Sequence, residues 1–126
     1  MNTLKQKVIE EVSKRPKATF KLKTKSFDCP VELTLEAIGG KWKILILWNL
    51  LTGKRRYSEF KYLMPQINFK MLSQQLKELE RDGLITKTIS NIKPPLIVEY
   101  KLSKEGTKLK PTIMKLREWG LRYITK

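Results

Sequence analysis

The chain has 126 residues, of which 40% are apolar, and it carries 27 lysine and arginine residues against 12 acidic ones. The formal charge of +15 favours a polyanionic partner such as DNA, RNA or an acidic membrane surface. The chain has no histidine and one cysteine, which excludes histidine general bases, histidine metal ligands, multi-cysteine metal sites and an intramolecular disulfide.

The N-terminal segment, residues 1–28, is predicted to be a basic extension. It lacks the apolar stretch of a signal peptide, and the longest apolar run of the chain, residues 44–48, is far shorter than the roughly 20 residues of a membrane span. We therefore expect a cytoplasmic protein that is not inserted in a membrane. Residues 1–15 place Leu4, Val8 and Val12 at helical spacing, which indicates an amphipathic helix. Residues 14–28 are either a disordered basic tail or an arm that contacts DNA phosphate or a partner subunit.

A compact domain is predicted over residues 29–126, and it begins with two helices. Pro30 suits the first turn of a helix because its missing N–H would lack a partner there anyway, and Gly39-Gly40 is a strong C-terminal signal. A second helix is predicted from Lys41 to about Thr52. Its apolar residues cover more than one face, so we expect a central buried helix whose two tryptophans, Trp42 and Trp48, belong to the core.

A short helix and a longer one, joined by a tight turn, are predicted next. Ser58 can cap the first, over residues 59–63, and Pro65 prevents its continuation. The second begins at the N-capping residue Asn68, runs to about Asp82 and ends at Gly83. On a helical wheel its leucines lie on one side and its polar residues on the other. The leucine side contains Leu72, Leu76 and Leu79, and the polar side contains Lys70, Ser73, Gln74, Lys77 and Arg81.

Two β-strands and a last helix complete the predicted elements. Residues 84–90 and 97–102 alternate apolar and polar side chains, the period of half-buried strands, and residues 91–95 turn the chain between them. A helix-turn-helix followed by a two-stranded hairpin wing is an arrangement that places one helix in the major groove of DNA. Ser103 then caps a C-terminal helix, which Pro111 is expected to kink.

The polar side of the second helix of this motif can contact both bases and phosphates. Gln74 can make a bidentate contact to adenine, while Lys70 and Lys77 can reach guanine acceptors or phosphate. The N–H groups at the helix start suit a phosphate, and basic residues near the first helix and in the wing suit flanking phosphates. For any single one of these lysines, a solvated surface position is an equally good explanation. The predicted DNA-binding residues are Arg55, Arg56, Ser58, Asn68, Lys70, Ser73, Gln74, Lys77, Arg81, Lys87 and Lys93.

The chain from Cys29 to about Trp119 resembles the HxlR family of bacterial and archaeal winged-helix transcriptional regulators, which are relatives of the MarR type. The matching pieces are CPVELTLEAIGGKWKILIL, YSEFKYLMPQINFKMLSQQLKELERDGLI, PPLIVEYKLSKEG and LKPTIMKLREWG. The resemblance implies an α+β, mostly helical, winged-helix homodimer that binds a pseudo-palindromic operator and dimerises through its terminal helices. The residues expected at that dimer interface are Leu4, Val8, Val12, Leu109, Ile113, Leu116 and Tyr123.

The single cysteine, Cys29, matches an N-terminal cysteine that is oxidised in some members of that family, with a change in DNA affinity. The resemblance therefore makes Cys29 a candidate redox sensor. Its predicted place at a helix start favours the reactive thiolate, whereas the neighbouring Asp28 opposes it. A packed, structural cysteine is the alternative.

The function expected from this resemblance is sequence-specific regulation of transcription by a homodimer on double-stranded DNA, with an oxidant or small molecule as effector. The alternative is a winged-helix protein that binds nucleic acid without base preference, as an architectural or RNA-binding protein. A third reading is an interaction adaptor whose winged helix no longer binds DNA. No enzymatic activity, cofactor or metal is expected. The carboxylates of the helix predicted from Asn68 to about Asp82 have no histidine or nucleophile beside them.

Overall fold

The computed structural model of the protein describes residues 20–22, 25–90 and 93–124. The amphipathic helix predicted for residues 1–15, with Leu4, Val8 and Val12, lies outside the described residues. The elements are β1 (Phe20–Leu22), β2 (Lys25–Phe27), α1 (Pro30–Ile38), α2 (Lys43–Leu50), β3 (Arg55–Arg56), α3 (Tyr57–Leu63), α4 (Phe69–Arg81), β4 (Ile85–Ile89), β5 (Val98–Leu102), α5 (Lys104–Thr107) and α6 (Lys110–Ile124). This order confirms the α+β, mostly helical, winged-helix architecture.

A short antiparallel hairpin precedes the first helix. Strand β1 pairs with β2, with Phe20 opposite Phe27 and Leu22 opposite Lys25, and both strands lie against α1. Part of the segment predicted as a tail or arm therefore forms strands, which its alternation of basic and other residues allows. The domain boundary at residue 29 stays a prediction, and the β1–β2 hairpin lies on the N-terminal side of this residue.

The structure contains both predicted helices, but α2 is shorter than expected. Helix α1 starts at Pro30 and ends at the C-cap Gly39, as its sequence signals indicate. Helix α2 starts only at Lys43, because Gly40 has a positive φ of 77° and residues 40–42 form a turn. One face of α2 is buried through Ile46, Leu47 and Leu50, and the side of Trp48 is exposed. The prediction that both tryptophans are core residues is wrong for Trp48.

The wing belongs to a three-stranded antiparallel sheet with the order β3-β5-β4. Strands β4 and β5 form the predicted hairpin, in a register that runs from Ile85 opposite Leu102 to Ile89 opposite Val98. The third strand was not predicted: β3 has two residues, too few to show a period, and pairs with the other edge of β5. The two-stranded hairpin wing is therefore confirmed, and the sheet contains one additional edge strand.

The C-terminal region contains two helices where one kinked helix was expected. The Ser103 hydroxyl accepts a hydrogen bond from Gly106 N at 3.0 Å and donates one to Gly83 O at 2.6 Å, which ties the start of α5 to the end of α4. Helix α5 stops after one turn, and α6 begins at Lys110. Pro111 thus stands in the first turn of α6, where no N–H is required, and the expected kink is replaced by a break before it.

Candidate nucleic-acid interface

Helix α4 is held by the leucine row that its sequence predicts. Leu72 and Leu79 have no exposed surface and Leu76 has almost none, and they join the core formed with α2 and α3. Three buried leucines contribute several kcal/mol, at roughly 1.5–3 kcal/mol for each fully buried side chain. The opposite side of α4 faces solvent.

The start of α4 is capped as predicted. The Asn68 side-chain Oδ1 accepts a hydrogen bond from Met71 N at 2.7 Å. Because this bond engages the side chain, Asn68 offers a phosphate the backbone N–H groups at the helix start, which is the contact predicted there.

The cap of the short helix α3 differs from the prediction. Ser58 was expected to be the N-cap, but the helix begins two residues earlier, with Arg56 in the capping position. The Glu59 carboxylate accepts a hydrogen bond from Arg56 N at 2.8 Å, which satisfies a donor at the helix start. Ser58 is exposed, and its proposed contact with DNA remains a prediction.

Helices α3 and α4 are joined by polar and aromatic contacts that the sequence did not reveal. The Tyr57 hydroxyl lies 2.9 Å from Ser73 Oγ and donates at 3.3 Å to Phe69 O, while the Tyr57 ring stacks on the Phe69 ring. Lys61 donates a hydrogen bond to Ile67 O and lies over the Phe69 ring. These contacts fix the angle at which α4 leaves the turn.

The outer side of α4 carries basic and amide groups that are available to a partner. Within residues 25–90 and 93–124, Lys70, Gln74 and Lys77 are exposed and form no hydrogen bond or ion pair with the chain. Arg81, at the far end, is paired with Asp82 at 3.1 Å, and this carboxylate raises the pKa of the Arg81 guanidinium. The helix therefore presents its unpaired cations in its first two and a half turns.

The Arg55 side chain is held by contacts within the chain. Its Nε donates to Asn49 O at 3.1 Å, its Nη2 donates to Thr52 Oγ1 at 3.1 Å, and its Nη1 lies 3.7 Å from Glu59 Oε2. Because all three nitrogens are engaged, Arg55 holds the connection between α2 and α3, and its predicted contact with DNA phosphate remains a prediction.

A cleft of about 450 Å³ separates α4 from the sheet. Ser73 and Lys77 line it from the helix and Lys87 from the wing, together with Glu80, an acid on the sheet-facing side of α4. Lys87 and Lys93 are exposed on the wing, and Arg56 is exposed beside it, as flanking phosphate contacts require. Lys70 and Gln74 do not line this cleft.

Comparison with known proteins identifies the family of this helix-turn-helix. Residues 37–126 match the family described as HxlR-like helix-turn-helix. The chain is a member of the HxlR family. Like other members, it is a DNA-binding transcriptional regulator of the MarR-like, winged-helix type.

Two HTH-type transcriptional regulators of Bacillus subtilis (strain 168) illustrate the similarity. YdeP is 48% identical over 95 residues, which cover 75% of this chain and 73% of YdeP. YtcD is 49% identical over 105 residues, which cover 83% of this chain and 82% of YtcD. The solved structure of YtcD superposes with a TM-score of 0.73 and 49% identity, covering 78% of this chain and 99% of that one. The oxidized form of the redox regulator HypR superposes with a TM-score of 0.70 and 41% identity, covering 75% of this chain and 96% of that one.

The apolar stripe of this HxlR-family chain divides between its own core and solvent. Ile113 is buried in the core, so it stabilises its own protomer and its assignment to a dimer interface is corrected. Leu109 is partly buried against this core, and its place in a dimer interface remains a prediction. Leu116 and Tyr123 are exposed, as an interface requires, and Tyr123 stacks on the exposed Trp119 with ring centroids 5.3 Å apart. Along the part of the chain that the structure covers, no helix is long and apolar enough to cross a membrane.

Proposed function

We propose that the chain acts as a homodimer that binds a pseudo-palindromic operator in double-stranded DNA, with α4 in the major groove of each half-site. The observation that carries this proposal is the two-sided character of α4, which is anchored by buried leucines and presents Lys70, Gln74 and Lys77 without partners among the described residues. In a helix-turn-helix protein, such a face provides base contacts from its amide, and base or phosphate contacts from its cations. The protein would act in the cytoplasm, where bacterial and archaeal DNA is found.

Phosphate contacts are proposed on both sides of α4. Arg56 precedes the helix-turn-helix, and Lys87 and Lys93 lie on the wing that follows it, all exposed. Such contacts fix the register of a protein on the duplex but carry no sequence information themselves. Specificity therefore rests on α4, and the flanking cations supply affinity that depends on salt.

The second copy is proposed to cover the apolar end of α6. Leu116, Trp119, Tyr123 and Ile124 expose large apolar side chains on a fifteen-residue helix. A contiguous exposed apolar surface of this kind marks an interaction site, and HxlR-family members dimerise through terminal helices. A two-fold dimer would place two α4 helices on one face of DNA, about one helical turn apart.

Selection of bound sequences from a random pool of double-stranded DNA at physiological salt tests this proposal. Enrichment of an inverted repeat with half-sites about one turn apart supports a dimeric, sequence-specific regulator. Tight binding without an enriched motif contradicts it and supports the non-specific nucleic-acid-binding alternative, in which charge alone provides affinity. Absence of retained DNA contradicts both and favours the adaptor.

We further propose that oxidation of Cys29 regulates DNA binding. Cys29 is half-buried and occupies the N-cap of α1, where the helix dipole favours a thiolate. HypR is described as a redox regulator, and the structure of YodB from B. subtilis, 29% identical to this chain, is described as quinone-bound. Two Cys29 thiols from two protomers would form one disulfide, giving up two protons and two electrons to a peroxide or quinone.

The redox proposal is tested with hydrogen peroxide on the wild type and on Cys29→Ser. We expect a covalent dimer on non-reducing electrophoresis and a change in DNA affinity for the wild type alone, both reversed by a thiol reductant. An affinity that is unchanged by oxidation, or that changes equally in Cys29→Ser, would make Cys29 a structural cysteine.

A further inference from the structure

An exposed aromatic ring lies at the first position of α4, the helix proposed to enter the major groove. Phe69 is 63% exposed, whereas Ile67, two residues earlier, and Leu72, three residues later, are buried in the core. Because large aromatic side chains gain most from burial, a ring left in solvent at this position is not explained by packing of the protomer.

The exposed ring is nevertheless held in one place. The Tyr57 ring stacks on it with centroids 6.1 Å apart and an angle of 10° between planes. The Lys61 ammonium lies 4.4 Å from its centroid, within the range of a cation–π contact. Tyr57 is itself held by Ser73 through their hydroxyl groups, 2.9 Å apart. Phe69 is thus pre-organised by neighbours that leave much of its surface uncovered.

The position of the ring matches the part of a recognition helix that contacts base edges. The N-terminal residues of the second helix of a helix-turn-helix lie against the bases in the major groove. Phe69 precedes Lys70 and lies four residues before Ser73, so it shares a helix face with a residue of the predicted interface. The cations of Lys61 and Lys70 next to the ring favour an anionic duplex as the partner.

The major groove offers one apolar group, the C5 methyl of thymine, and phenylalanine is among the side chains that contact it. We propose that Phe69 packs on a thymine methyl in each half-site and is a specificity-determining residue. This inference rests on the proposed operator binding. It adds a thymine requirement to the polar base contacts expected from Lys70 and Gln74.

A scan with uracil tests the inference without altering the protein. Each thymine of the selected operator is replaced in turn by uracil, which lacks only the methyl group, and affinity is measured by fluorescence anisotropy. We expect one position, symmetric in the two half-sites, at which the change weakens wild-type binding about fourfold per half-site, the effect of losing one buried methyl-sized group. Equal affinity at every position would overturn the inference.

Two variants assign the effect to Phe69. In Phe69→Ala the sensitive position should tolerate uracil as well as thymine, whereas Tyr62→Ala, which removes a ring that is 85% exposed on α3, should keep the wild-type sensitivity. Uracil sensitivity that persists in Phe69→Ala, or that is lost in Tyr62→Ala, would overturn the inference. Failure of the proposed function would give a different result, because the random pool would then yield no inverted repeat to scan.

Discussion

Lys43 Nζ and Glu78 Oε2 lie 3.6 Å apart, and this ion pair joins α2 to the recognition helix α4. The lysine side chain is only 11% exposed and that of Glu78 27%, and Glu78 also accepts a hydrogen bond from Gln75 at 3.1 Å. The leucine row sets the depth of α4, and this directional pair limits its rotation and sliding on α2. The orientation of the exposed side of α4 therefore depends on an ion pair that lies between α2 and α4.

The two halves of this pair should differ in how much stability their replacement costs. Glu78→Gln leaves the Lys43 charge largely buried without its partner, whereas Lys43→Met keeps an apolar stem and leaves a carboxylate that water reaches more easily. We expect Glu78→Gln to lower the free energy of unfolding by about 2 kcal/mol and Lys43→Met by about 1 kcal/mol or less. Urea unfolding measures both, and a larger loss in Lys43→Met would contradict this account of the pair.

The cap of α4 should contribute to stability whether or not DNA is present. Asn68→Ala removes the acceptor for Met71 N and should cost about 1 kcal/mol, while Asn68→Asp keeps an acceptor at the same place. Thermal unfolding of the two variants measures the difference. If Asn68→Asp lost as much stability as Asn68→Ala, capping of α4 would not explain the contribution of Asn68 to stability.

The neighbouring residues Arg55 and Arg56 should have different roles, the first in stability and the second in phosphate binding. Arg55→Ala removes two hydrogen bonds and an ion pair at the α2–α3 connection and should lower the thermal midpoint. Arg56→Ala should leave stability unchanged and weaken binding to all sequences, with a salt slope that is smaller by about one. DNA binding at several salt concentrations checks this, and a smaller slope for Arg55→Ala with unchanged stability would reverse the assignment.

Tyr100 should make stability fall at alkaline pH. Burial raises the pKa of the Tyr100 phenol, and the nearby Glu80 charge raises this pKa further. Since the pKa is higher in the folded than in the unfolded chain, the stabilisation is complete below about pH 10 and is lost as pH rises through the folded value. Urea midpoints measured at about pH 9 and about pH 11 should fall less for Tyr100→Phe than for the wild type, and equal declines would contradict the assignment.

The elements with a clear period or strong end signals were predictable from the sequence. Helix α4 combines a leucine every three or four residues with Asn68 before it and Gly83 after it, where φ is 78°. Strand β5 alternates apolar and polar residues over its five positions, whereas β4 is exposed at every position after Ile85. Strand β3 could not be predicted, because two extended residues show no period until β5 lies beside them.

The functions of individual side chains were less predictable, since they depend on neighbours that are distant in sequence. The engagement of Arg55 appears only when the turn brings Asn49 and Glu59 around it. Ile113 and Leu116 belong to the same apolar stripe, yet one faces the core and the other solvent. Spacing identifies an apolar stripe but does not tell which part the protomer itself covers.

The central claim is that the exposed side of α4 reads base sequence, and a comparison of selected motifs tests it most directly. The wild type, Gln74→Ala and Lys77→Ala are each used to select from the same random pool of duplex DNA. The account predicts that Gln74→Ala loses preference at one position of each half-site, by about 1–3 kcal/mol, whereas Lys77→Ala keeps the motif and binds more weakly at every salt concentration. An unchanged motif for Gln74→Ala, or equal losses of preference in both variants, would contradict it.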